Sequence, residues 1–277
     1  MRSVTLPSGE RVPALGIGTW RMGERRAARG EEIATLRLAV ELGATLVDTA
    51  ELYGEGTTET LVGEALSGRR DEVFLVSKVH PRNASFDAVI AACERSLLRL
   101  RTDRIDLYLL HWLAEVPFSE TLEAFLTLQQ QGKIRHFGVS NFDMGEMRKL
   151  WALATAHAVA TDQVLYNLVR RGAEADLLPW LRERHIPVMA YSPFDQGGLL
   201  ENAQLGAFAE RHGISAAQAA LAWLLAQEDV IAIPKTANRE RLTENVAALE
   251  HFFGSAELRE LDRVFPKPAG PQPLEML

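Results

Sequence analysis

One cysteine in 277 residues, Cys93, excludes an intramolecular disulfide and a thiolate-rich metal site, and agrees with a reducing compartment. It falls in a helix-spaced apolar stripe with Phe86, Ile90, Leu97 and Leu100, where packing explains it. Long apolar runs are missing too. No stretch approaches the roughly 20 residues of a membrane span, and the opening Met-Arg-Ser-Val-Thr-Leu-Pro-Ser-Gly has no hydrophobic leader segment, so the expected location is the cytoplasm. Positive charge is in deficit, with 30 Lys and Arg against 37 Asp and Glu and a net charge of -7. No global field would therefore draw a nucleic acid backbone or an anionic membrane surface, and neither is expected as a partner. A Gly-x-Gly-x-x-Gly turn is absent as well: Gly16, Gly18 and Gly23 have the wrong spacing, which removes a Rossmann pyrophosphate turn.

What is present is regular. Hydrophobic residues make up 47% and charged residues 24%, enough to bury a large core. Two short segments flank the turn-rich Pro7-Ser8-Gly9-Glu10, predicting an N-terminal hairpin over 3–13 that covers one end of a larger body. Eight strand-like runs follow, at 15–19, 45–47, 73–77, 105–110, 136–139, 162–165, 187–190 and 230–233. Amphipathic helical stretches separate them, at 32–41, 60–66, 86–100, 122–128, 144–153, 177–184, 216–226 and 241–249. Strict alternation argues for parallel strands covered on both faces. Eight units favour an α/β fold of the (β/α)8 TIM-barrel type over an open doubly wound sheet, expected as a single domain with the barrel at 15–250. An insertion at about 194–213 precedes one helix, and a last helix over 256–265, capped by Ser255, leads into a proline-rich tail that cannot remain helical.

In such a barrel the reactive groups belong at the carboxyl ends of the strands. Those ends read Asp48, Lys78, His111, Ser140, Gln163, Tyr191 and Lys235. Singly, each is an ordinary solvated loop residue or half of an ion pair. Together, on one rim, they form a site.

The residues then match a family. Asp48-Thr-Ala-Glu-Leu-Tyr53-Gly, Val-Ser-Lys78-Val, Leu-Leu-His111-Trp and Gly-Lys-Ile-Arg-His-Phe-Gly-Val-Ser140-Asn141-Phe resemble the aldo-keto reductases. So do Gln163-Val-Leu-Tyr-Asn, Ala-Tyr191-Ser192-Pro-Phe194 and Ile-Pro-Lys235-Thr236-Ala-Asn-Arg-Glu-Arg241-Leu-Thr-Glu-Asn245. The match runs in order over 15–245, and within the family the chain is similar to a compact bacterial branch acting on 2-oxoaldehydes such as methylglyoxal. It departs from the family pattern at Leu168, where many relatives have proline, which leaves the following loop's shape open, and at Thr236, where many have serine.

The resemblance implies reduction of a small carbonyl compound by hydride from NADPH, with no metal. Tyr53 would protonate the oxygen. A phenol with a pKa near 10 is a sluggish donor, so Lys78 would make it more acidic, and Asp48 would hold the ammonium. Neutral His111 would orient the carbonyl and stabilise its developing charge. Ser140, Asn141 and Gln163 would bind the carboxamide, Tyr191 would stack on the nicotinamide, and Thr19, Trp20, Asp48, Ser192 and Phe194 would complete the cofactor cleft. Lys235, Thr236 and Arg241 suit the extra phosphate of NADPH, and Asn245 the adenine. Trp20, His80 and Trp112 would wall the substrate pocket, and short connections over 112–118 and after Phe265 suggest that it is open.

Two other readings compete. A barrel glycosidase needs an opposing carboxylate that no other strand end offers, and does not explain Lys78. A nicotinamide-binding sensor or accessory subunit would keep the barrel with little turnover, against which stands the complete tetrad. A monomer is expected, and an oligomer is left open.

Overall fold

The computed structural model describes residues 2–277. Eight parallel strands follow one another around a sheet: β3 (Gly16–Gly18), β4 (Leu46–Asp48), β5 (Phe74–Val79), β6 (Ile105–Leu110), β7 (Ile134–Ser140), β8 (Asp162–Leu165), β9 (Val188–Tyr191) and β10 (Val230–Ala232). The two ends of the sheet meet through parallel bridges between Leu15 and Ala232 and between Gly18 and Lys235. Gly18 N donates to Pro234 O at 2.9 Å and Ala232 N to Ala14 O at 2.8 Å, so the eight strands close into a barrel. All six residues of β5 and of β6 are buried, as strands sandwiched between a barrel interior and a helix layer must be.

The helices are α1 (Arg29–Glu41), α2 (Thr57–Ala65), α3 (Phe86–Leu100), α4 (Phe118–Gln130), α5 (Met144–Trp151), α6 (Leu177–Arg182), α7 (Ala203–Arg211), α8 (Ala216–Leu225), α9 (Arg239–Ala247) and α10 (Ser255–Val264). Each longer helix turns an apolar stripe inward. In α3 the stripe is Val89, Ala92, Cys93, Ser96, Leu97 and Leu100, and the helix ends at Arg101 in a left-handed cap with φ 55°. Cys93 is fully buried, and burial pushes its thiol up to about 12, in keeping with a packing role. Among the described residues no helix is long and apolar enough to cross a membrane.

The hairpin of β1 (Ser3–Thr5) and β2 (Arg11–Pro13) pairs antiparallel and lies against the amino-terminal ends of the strands. Glu10 in its turn meets Arg135 at 2.8 Å and His136 at 2.6 Å, both at the start of β7. It therefore covers the end of the barrel away from the strand-end residues.

Within the insertion before α8, Asn202 caps α7 by accepting from Gln204 N and Leu205 N, and Leu205, Phe208 and Ala209 bury the helix's inner face. One expectation needs correction. Ser255 is the first residue of α10 rather than its cap: Gly254 occupies the cap position and no side chain caps the helix.

Candidate active site

The carboxyl ends of β4 and β5 bring an acid and a base into contact inside the barrel. Lys78, fully buried, donates from Nζ to Asp48 Oδ2 at 2.8 Å, to the Thr49 carbonyl at 2.9 Å and to the Tyr53 hydroxyl at 3.2 Å. Three acceptors around one ammonium offset its desolvation, and its pKa rises: burial pulls it down, and the Asp48 and Tyr53 charges outweigh that. Tyr53 lies on the short helical turn leaving β4. Its phenol is also shifted up, first because it is buried and then because Asp48 opposes a second negative charge, although Lys78 pulls the other way. The expectation of a more acidic tyrosine thus describes the contribution of Lys78 but not the sum. At neutral pH Tyr53 is a phenol, the form that can donate.

His111, at the end of β6, stands edge-on to Tyr53 with ring centroids 5.8 Å apart. Burial, then Lys78 and His80, holds it well below the ordinary value of 6.5, so it is neutral. Its Nδ1 is buried without a partner. A bare acceptor costs less there than a bare N–H, which places the ring proton on Nε2. Trp112 packs beside His111 at 4.9 Å and His80 against Trp112 at 5.0 Å, a continuous aromatic wall. Trp20, on the loop after β3, is 42% exposed, with the Arg21 guanidinium 4.2 Å from its ring.

A polar shelf faces these groups. Ser140 donates to the Gln163 carbonyl at 2.8 Å, Asn141 donates to the His111 carbonyl and to Ser140 Oγ, both at 3.1 Å, and the Tyr191 hydroxyl donates to Asn141 Oδ1 at 2.9 Å. Asn141 is held at φ 59° and Ser192 at φ 53°, left-handed conformations that mark both loops as strained. Gln163 spends its amide nitrogen on Asp48 Oδ1 at 2.8 Å, which leaves its oxygen as the group open to a ligand. Thr19 donates to the Asp48 carbonyl at 2.9 Å, tying β3 to the same centre. Phe194 is half-buried in the loop beyond Ser192.

On the far side of the rim, Asn238 caps α9 by accepting from Arg241 N at 2.9 Å, and Thr236 Oγ1 accepts from Asn238 N at 3.1 Å. Lys235 and Arg241 are exposed, and among the described residues neither is ion-paired, whereas Arg239 beside them reaches Glu31 at 3.3 Å. Partial desolvation lowers the Lys235 pKa, with Arg25 and Arg21 adding to the fall against Glu32. Such uncommitted cations suit a polyanion. Asn245 is buried one turn along α9.

Sequence reasoning missed three supports. Glu51, in the loop after β4, accepts from His80 N at 2.7 Å and Asn83 Nδ2 at 2.9 Å and so fixes the loop after β5. Asn167, fully buried, accepts from Val169 N and Arg170 N and donates to the Ser192 carbonyl at 2.9 Å, shaping the loop that Leu168 left open. The tail folds back on the barrel: Leu274 packs on the core and Glu275 reaches Arg170 at 2.6 Å. An asparagine next to a strand-end tyrosine was the available signal for the second; nothing local marks the other two.

Comparison with known proteins agrees with this geometry. The model of the aldo/keto reductase family matches residues 14–265. Methylglyoxal reductase YeaE of Escherichia coli is 51% identical over 96% of this chain and 95% of its own length, and glyoxal reductase of Bacillus subtilis 31% identical over 99% and 97%. Among solved structures, an aldo/keto reductase from Klebsiella pneumoniae in complex with NADP and acetate superposes with a TM-score of 0.97 at 45% identity, each chain covered to 99%. A second from the same organism, in complex with NADPH, gives 0.96 at 45% identity, with both chains fully covered.

Proposed function

The chain belongs to the aldo/keto reductase family, and from that premise we propose that it reduces small aldehydes and ketones, 2-oxoaldehydes such as methylglyoxal among them, at the expense of NADPH. The observation that carries this reading is the Lys78 ammonium within hydrogen-bond reach of both Asp48 and the Tyr53 hydroxyl, with neutral His111 beside them.

The residues present fit the cofactor. The free oxygen of Gln163 offers an acceptor to a carboxamide NH2, Ser140 and Asn141 frame it and would turn a proton from their mutual hydrogen bonds to the carboxamide oxygen, Tyr191 adjoins them as a stacking surface, and Lys235, Thr236 and Arg241 present cations and a hydroxyl to a phosphate. Trp20, Ser192, Phe194, Thr19 and Asn245 complete the cleft. When bound, the reduced nicotinamide supplies the hydride that reaches the carbonyl carbon.

The chain's own groups handle the proton. Tyr53 gives its hydroxyl proton to the carbonyl oxygen as that oxygen gains charge. Lys78, held by Asp48 and the Thr49 carbonyl, stabilises the phenolate that remains. His111 donates from Nε2 to the same oxygen and orients it. His80 and Trp112 give the pocket an aromatic side next to His111.

Absorbance of NADPH and of NADH followed with methylglyoxal and a series of aldehydes tests this. Turnover preferring NADPH is expected; cofactor binding without turnover on any carbonyl would contradict it and favour a sensor.

A further inference from the structure

Two adjacent arginines, Arg170 and Arg171, take hold of the carboxyl-terminal segment at its two ends. Arg171, only 5% exposed, chelates Glu174 through Nε and a terminal nitrogen at 2.7 and 2.9 Å, and donates to Asp262 at 2.8 Å and to the Phe265 carbonyl at 2.6 Å. The root of the tail, where α10 ends, is thereby fixed to the loop after β8. Beyond it the tail crosses that loop and approaches the one after β7. Gln272 lies against Gly172, and Gln272 and Leu274 share a groove with Asp143 and Gly145, which follow Asn141.

Arg170 closes the far end. Its Nη1 donates to Glu275 at 2.6 Å while its Nε donates to Asp195 Oδ1 at 3.1 Å, so one guanidinium joins the tail to the loop after β9. That loop needs tethers from outside: Ser192, Asp195 and Gln196 all hold φ between 48° and 56°. Asn167 supplies one tether at the Ser192 carbonyl, and Arg170 the other at Asp195. The planar guanidinium holds two carboxylates in a fixed relation, which an ammonium would not.

We propose that Arg170 is a positioning residue, a clasp through which the tail and the loop carrying Tyr191, Ser192 and Phe194 close over the cofactor as one unit. The inference rests on the cofactor reading given above. Arg170 touches no reacting atom; it acts through Asp195 and Glu275. Because all three side chains are partly exposed, from 22% to 45%, the coupling is modest and screened by salt.

The test is the rate of NADPH release from the full chain, read by stopped-flow protein fluorescence, for wild type, Glu275→Gln, Arg170→Gln and the pair. Each single change is expected to speed release about threefold, to raise KM for NADPH without lowering kcat, and to leave the melting temperature near wild type. The pair should release no faster than Arg170→Gln alone, since both remove one clasp. Release unchanged by Glu275→Gln, with NADPH still binding, would overturn the clasp alone, as would two effects that simply multiply. A wild-type chain that binds no NADPH would overturn the cofactor reading and the clasp with it.

Discussion

Lys78 and Asp48 cannot be separated cheaply, because each is the other's main compensation for burial. Lys78→Met strands a carboxylate that is 2% exposed, and the expected cost is about 3–5 kcal/mol of stability by urea unfolding, alongside lost turnover. A variant as stable as wild type would mean that the pair is not desolvated as described. Asp162 makes the converse case. It is fully buried at the start of β8, its Oδ2 has no partner, and burial raises its pKa well above the ordinary 3.8. The native state thus holds a proton that the unfolded chain gives up, so Asp162 favours folding below about pH 4 and that contribution is lost as pH rises. Asp162→Asn should accordingly raise the melting temperature more at pH 7.5 than at pH 4; an equal gain at both would remove the carboxyl from the account. His111 has the opposite shift. Its depressed pKa means that stability held above the ordinary 6.5 is lost as pH falls through the folded value, and that the ring stays neutral through mild acid. Carbonyl reduction should show no half-loss near pH 6.5, and a kcat profile falling there would contradict a neutral His111.

Among the elements, the strand ends were legible in the sequence because a parallel barrel buries its strands on both faces and must stop them with polar residues. Asp48, Lys78, His111, Ser140 and Tyr191 were found that way, and the helix stripes by their spacing; Gln163 is the second residue of β8 rather than its end, and comes level with Ser140 through the register of the two strands. What the sequence hid is tertiary. Helix α7 read as part of a long insertion because its nine residues show only three buried positions, and the roles of Glu51 and Asn167 depend on backbone groups of other loops. The sign of the Tyr53 shift was hidden too, since it depends on how burial and two opposite charges balance rather than on which residues are present. Element geometry also yields a prediction at α9, whose first turn and preceding loop leave Arg241 and Lys235 uncommitted. Arg241→Ala should weaken NADPH at least tenfold more than NADH, measured by fluorescence titration; equal losses would detach that arginine from the phosphate.

At the scale of the molecule, the barrel divides its labour between its ends. The hairpin and its Glu10 contacts lie at the amino-terminal end, while every group assigned to chemistry stands at the carboxyl-terminal rim. The resemblance drawn from short motifs extends to the whole chain, as the 51% identity with methylglyoxal reductase YeaE over 96% of the sequence indicates. What lines the pocket was the least legible part, since the tail reaches the loop after β8 from a distant element.

The proposed reduction turns on one proton, and the most direct measurement is methylglyoxal-dependent NADPH oxidation by Tyr53→Phe beside wild type, with NADPH affinity determined for both. Turnover reduced by at least a thousandfold with affinity within about twofold is the predicted result, in line with loss of a positioned general acid. Turnover within tenfold of wild type, with the cofactor bound, would mean that another group donates the proton and that the contact between Lys78 and Tyr53 is not the catalytic centre.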